Sequence, residues 1–80
     1  MGRYAKEARY HFDRIQYYHR HAGFKAYSQS KHHYSKLTEL IIRAERSKND
    51  KNDAIVIQAL QESVAELMEE MRKRDEGSNT

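Results

Sequence analysis

Apolar residues recur at intervals of three and four along almost all of this 80-residue chain, and no run rich in β-branched residues alternates with period two. The chain contains no proline to break that pattern. Periodicity of this kind predicts an all-α fold. A first helix is expected over residues 3–22, where Ala5, Ala8, Phe12, Ile15, His19 and Ala22 form one stripe with Tyr4 at its edge. Gly23 offers a stop, since glycine tolerates the left-handed conformation common at helix ends. A second helix over residues 25–47 aligns Tyr27, Ser30, Tyr34, Leu37, Ile41 and Ala44, flanked by His33 and Leu40. A third over residues 54–74 aligns Ile57, Leu60, Val64, Leu67 and Met71, with Val56 and Met68 beside them. Residues 48–53 read as a polar loop in which Asp50, Asn52 or Asp53 would cap the helix that follows. Glu39–Arg43, Glu69–Lys73 and Glu70–Arg74 are expected as ion pairs one turn apart.

These segments predict a three-helix bundle, up-down-up, forming a single helical domain over residues 1–76 with a disordered tail at 77–80. The alternative is a helical hairpin in which helices 1 and 2 are continuous through Gly23, a rod of about 65 Å. A glycine inside a helix costs only about 1 kcal/mol, so packing can override it. A chain this short buries a modest core, and it has no cysteine for a disulfide or a thiolate metal site. Association into at least a homodimer is therefore expected. Phe24, Ile42 and Ile55 fall off the main stripes. They either cover the bundle ends or form a second seam between subunits. Charges interrupt every apolar run, and no signal-peptide core is evident. The start Met1-Gly2 fails as a myristoylation signal because Lys6 stands where Ser or Thr is needed. A cytoplasmic protein with no membrane partner is the expectation.

No catalytic pattern emerges. The three glycines, at 2, 23 and 77, make no phosphate loop, and neither a nucleophile elbow nor a zinc-protease helix motif is present. A non-enzymatic protein without a cofactor is expected. The five histidines, His11, His19, His21, His32 and His33, contain no pair three or four residues apart, the spacing that two ligands on one helix face require. Glu7–His11 has that spacing and reads as a surface pair, so no metal is expected. His19 and His33 fall on apolar stripes and read as neutral core-edge side chains bonded to a backbone carbonyl or a tyrosine hydroxyl.

Charge is unevenly spread. Residues 1–48 carry eleven Lys/Arg against four Asp/Glu, whereas residues 49–80 carry four against eight. All histidines and all six tyrosines lie in the basic part. On the first helix, the side opposite the apolar stripe should be plainly polar. It carries Arg3, Tyr10, Arg14, Tyr17 and His21, with Lys6 and Tyr18 at its borders. Lys31, His32, Lys36, Arg43 and Arg46, together with Lys25, lie off the stripe of the second helix. Aromatic rings among cations suit base stacking with phosphate clamping. The leading expectation is a small regulatory protein that binds nucleic acid with low sequence specificity through this surface, more tightly below about pH 6.5 as histidines charge. A second reading makes the same Tyr/Arg face a hot spot for a protein partner, in an adaptor or inhibitor. A third is a structural helical assembly, and a fourth is a solvated face with no function. The acids of the third helix read as balancing the basic half. The size, charge and lack of catalytic motifs are those of small phage, plasmid or regulatory proteins.

Overall fold

The structure, a computed structural model, describes residues 2–21 and 25–77. Its three helices are α1 (Arg3–His21), α2 (Ala26–Arg46) and α3 (Lys51–Gly77). Each packs against the other two, and there is no strand among the described residues. His11 of α1 meets His33 of α2, while Gln61 of α3 reaches Tyr34 and Thr38 of α2. Ala5 and His19, near opposite ends of α1, meet Asp53 and Glu70 of α3 in the same order. α1 and α3 therefore run parallel, with α2 antiparallel to both. The continuous rod is excluded: α1 and α2 lie side by side, and the molecule is 49 Å along its longest axis. The stop expected at Gly23 lies outside the described residues. Among the described residues, Lys25 takes the left-handed conformation, with φ 66° immediately before α2.

The core follows the stripes. Ala5, Ala8 and Ile15 of α1, Leu37 and Ala44 of α2, and Ile57, Val64 and Met71 of α3 are fully shielded from solvent. Alanines on the inner side of α1 allow close approach of its neighbours. Tyr27 and Tyr34 pack at the margin of the core with Leu60 and Leu67. Ile42 and Ile55 are exposed, as their off-stripe positions imply, and Val56 is exposed too. Val56 and Met68 are both expected beside the stripe, but Met68 lies close to the line through Ile57 and Val64 and is buried, whereas Val56 is turned about 100° from Ile57 and is exposed.

α3 begins earlier than its apolar stripe, because residues 51–53 already form its first turn, closed by the Asp53 amide donating to the Asp50 carbonyl at 2.9 Å. At its other end Gly77 is helical rather than part of a tail, and residues 78–80 lie outside the described residues. The expected i,i+4 ion pairs give way to others. Glu39 pairs with Lys36 at 3.3 Å, Arg72 bridges Glu69 and Glu76, and Glu70 reaches His19.

The helix caps also differ from expectation. Asp53 turns away from its own helix, and its carboxylate accepts the Ala5 amide of α1 at 3.2 Å. Because α1 and α3 are parallel, their positive ends are adjacent, and this buried carboxylate serves both. A Cβ at Gly2 would stand 2.6 Å from Asp53 Oδ1, so glycine leaves the room this carboxylate occupies. At the opposite end the Asp75 carboxylate accepts the Tyr27 amide of α2 at 3.2 Å. Neither α1 nor α2 has an acidic residue in its own first turn. α3 supplies both.

Candidate functional site

Tyr4, His11 and Tyr18 are spaced by seven along α1, which places them along one edge, where His11 and Tyr18 meet His33 of α2. That edge builds the most chemically loaded part of the molecule. His11 is buried, and its Nδ1 lies 2.8 Å from Nδ1 of His33. At that separation one ring donates its single proton and the other accepts it. The Tyr18 ring stacks on His33 at 5.9 Å between centroids. Tyr10 stands edge-on to His11 and His33 at 5.2 and 5.9 Å, and His32 stands edge-on to His33. Burial lowers the pKa of both central imidazoles. For His33, the nearby His11, His32 and Arg14 add to that effect and push it down to about 4. For His11, Glu7 and Glu39 work against burial while His32 and Lys36 assist it. His33 therefore does not supply the positive charge expected to tighten binding near pH 6.5, and at His11 the shift works in the same direction.

Outside this inner layer lies the predicted surface. Tyr10 is 57% exposed and Tyr17 47%. The Arg14 guanidinium sits 4.7 Å from the Tyr17 ring centre and 4.9 Å from that of Tyr18, and donates to the Tyr18 hydroxyl at 3.0 Å. That hydrogen bond raises its pKa further, so it is always charged. Among the described residues Arg14 has no carboxylate partner. His21 lies against Tyr17 at 4.9 Å, and exposed Lys6 is one turn before Tyr10. From α2, His32 and Lys36 border the same seam, with Lys36 held to Glu39.

Other expected members lie apart. Lys31 stands over the Tyr27 ring at 5.7 Å, and the Tyr27 amide is bonded to α3, so this lysine flanks α3 rather than α1. Arg43 and Arg46 occupy the last turn of α2, where cations suit the helix dipole, and among the described residues no hydrogen bond or cation–π contact joins them to Tyr10 or Tyr17. Arg3 is exposed at the far end of α1, bonded to the Tyr4 hydroxyl at 2.9 Å and 3.9 Å from Asp50.

The pairing of His11 with His33 is not evident in the sequence, where Glu7–His11 reads as a surface pair and His33 as a core-edge ring bonded to a carbonyl or a phenol. The available signal was the seven-residue spacing of Tyr4, His11 and Tyr18. His19, expected to bond a carbonyl or phenol, instead has its Nε2 2.8 Å from a Glu70 carboxylate oxygen. No group of three or more His, Asp or Glu side chains among the described residues is arranged to hold a metal ion, and no helix there is long and apolar enough to cross a membrane.

Fold and site together define a three-helix bundle with a basic, aromatic outer seam. No family model, characterised protein or solved structure matches the chain.

Proposed function

We propose that this chain is a small, non-enzymatic regulatory protein that binds nucleic acid through the α1–α2 seam, with Tyr10 and Tyr17 as stacking surfaces and Arg14 as the central phosphate contact. One observation carries the reading: two half-exposed phenol rings flank an arginine with no carboxylate partner among the described residues. The rings are two helical turns apart, about 10.5 Å of rise. Both are about half exposed, which suits the unstacked bases of a single strand better than a paired duplex. The Arg14 guanidinium is preoriented by the Tyr18 hydroxyl and the Tyr17 and Tyr18 rings, yet keeps N–H donors for a phosphate. Lys6, His21, His32 and Lys36 extend the cationic and polar border. The scarcity of amide side chains on this surface gives little means of reading base edges, so low sequence specificity follows.

Fluorescence anisotropy of a labelled oligonucleotide, titrated at several salt concentrations, tests this reading. With about five phosphates neutralised, log K should fall against log salt with a slope of about −3.5 for a single strand and about −4.5 for a duplex. A slope near zero would reject it. Capture of a protein partner that survives about 0.5 M salt would favour the adaptor or inhibitor reading, since a phosphate-led contact is largely lost there.

A second reading, self-association, is favoured by a separate observation. Ile55 is 68% exposed, and Ile42 and Val56 are also exposed, away from the tyrosine seam. A homodimer seam over these residues would appear in sedimentation as a concentration-dependent mass that Ile55→Lys abolishes.

A further inference from the structure

The His11–His33 contact has a property that no other pair among the described residues shares. Its two Nδ1 atoms are 2.8 Å apart, so the contact exists only while the pair holds one proton between those atoms. One added proton can be held as an imidazolium that still donates to the neutral ring, but protonation of both imidazoles replaces the acceptor lone pair with another N–H and sets two cations against each other. Glu7 and Glu39 offset part of that repulsion at His11, but burial outweighs them. From α1, Glu7 and Arg14 face the pair, and from α2, His32, Lys36 and Glu39. Glu39 is tied to Lys36. α3 contributes no charged group to this set among the described residues.

We propose that His11 and His33 form an acid-sensitive clasp between α1 and α2, closed while the two imidazoles share one Nδ1 proton and opened when both are protonated. The clasp also underlies the candidate interface, because Tyr10 rests on both rings and Tyr18, which holds Arg14, stacks on His33. Its bearing on that interface rests on the nucleic-acid reading; the clasp itself rests on the geometry alone.

The sign follows from proton linkage. An unfolded histidine takes up its proton near pH 6.5, whereas the folded His33 resists down to about 4. Between those values the unfolded chain binds more protons, so stability is complete above pH 6.5 and falls as pH drops toward 4. Each excluded proton lowers the folding constant by about tenfold per pH unit within that window.

The test uses the full chain without nucleic acid, so its outcome is independent of whether the interface reading holds. Urea unfolding from pH 7.5 to 4.5 is compared between the natural chain and His11→Asn, whose amide can still bond His33 but cannot titrate. The natural chain should lose folding constant more steeply below pH 6.5, by about tenfold per pH unit relative to the variant. Ring nitrogen NMR of the natural chain is the second measurement, and it stands even if the variant does not fold. The Tyr18–His33 ring contact should disappear as the second proton is taken up. Equal pH slopes in the two chains, or both imidazoles charged with the Tyr18–His33 contact intact, would overturn the clasp. Oligonucleotide binding measured separately at pH 7.5 decides the interface reading: absence of binding there removes that reading and leaves the clasp to the unfolding and NMR results.

Discussion

Replacement of Asp53 by alanine should cost far more than a change at the start of a helix normally does. The carboxylate is buried and accepts the Ala5 amide at 3.2 Å. It lies at the positive end of α1, which has no acid in its own first turn, and also in the first turn of α3. Loss of a helix-capping side chain costs about 1 kcal/mol. Loss of a favourable charge at a partly buried helix terminus adds about 1 kcal/mol. Asp53→Ala should therefore destabilise the bundle by about 2 kcal/mol, and Asp53→Asn, which keeps an acceptor but loses the charge, by about half of that. For a domain of this size, 2 kcal/mol lowers Tm by about 8–16 °C, which thermal melts monitored by circular dichroism resolve easily. Gly2 provides the internal control. Because a Cβ there would collide with the Asp53 carboxylate, Gly2→Ala should destabilise the natural chain but cost much less in the Asp53→Ala background. The difference between those two costs is the coupling energy of the pair. If Gly2→Ala costs the same in both backgrounds, or Asp53→Ala shifts stability by under about 0.5 kcal/mol, the carboxylate is not capping α1 and the account of this end of the bundle is wrong.

Two further outcomes follow. Tyr17→Ala removes a ring that is about half exposed, so stability should change by no more than about 0.5 kcal/mol while oligonucleotide affinity falls by about 5- to 150-fold, the loss of one stacked base. A parallel loss of both in melts and anisotropy would mean that the ring supports the fold instead. Leu37→Ala empties a fully buried site at the centre of α2 and should cost about 2–5 kcal/mol, a large share of the roughly 5–15 kcal/mol that holds a small domain together. A midpoint unchanged in urea titration would contradict the placement of α2.

The three apolar stripes were legible in the sequence because each depends on one helix alone. A residue's direction relative to Phe12 or Ile57 is fixed by a 100° step per residue, and the same step left Ile42 and Ile55 outside the core. What escaped depends on how far each helix is displaced along its neighbour, which no single-helix wheel contains. Asp53 was assigned to its own helix because capping was sought locally. The parallel alignment of α1 with α3 instead places it beside Ala5. The same holds for His11 and His33, which are 22 residues apart and meet only because α1 and α2 are antiparallel at this offset. At the candidate surface, the exposure of Tyr10 and Tyr17 follows from the α1 wheel. The separation of Lys31 from that surface does not, because the position of a cation on the back of α2 relative to α1 depends on where α3 docks.

The uneven charge of the chain takes on a more specific meaning once these offsets are known. Much of the acidic excess in residues 49–80 is engaged within the fold. Asp50 faces Arg3 and Ser47, Asp53 and Asp75 cap α1 and α2, Glu70 bonds His19, and Glu69 and Glu76 hold Arg72. Of the acids on α3, Glu62 and Glu66 make no such contact among the described residues. These acids are thus engaged at the bundle ends and along α3, while at the α1–α2 seam Glu39 is tied to Lys36. Arg14 remains without a carboxylate partner there, its orientation fixed by Tyr17 and Tyr18. An arginine held in place by aromatic rings has already lost much of the side-chain freedom that a phosphate contact would otherwise remove. That preorganisation, more than the formal charge of +3, is the physical reason to expect an anionic partner on this seam.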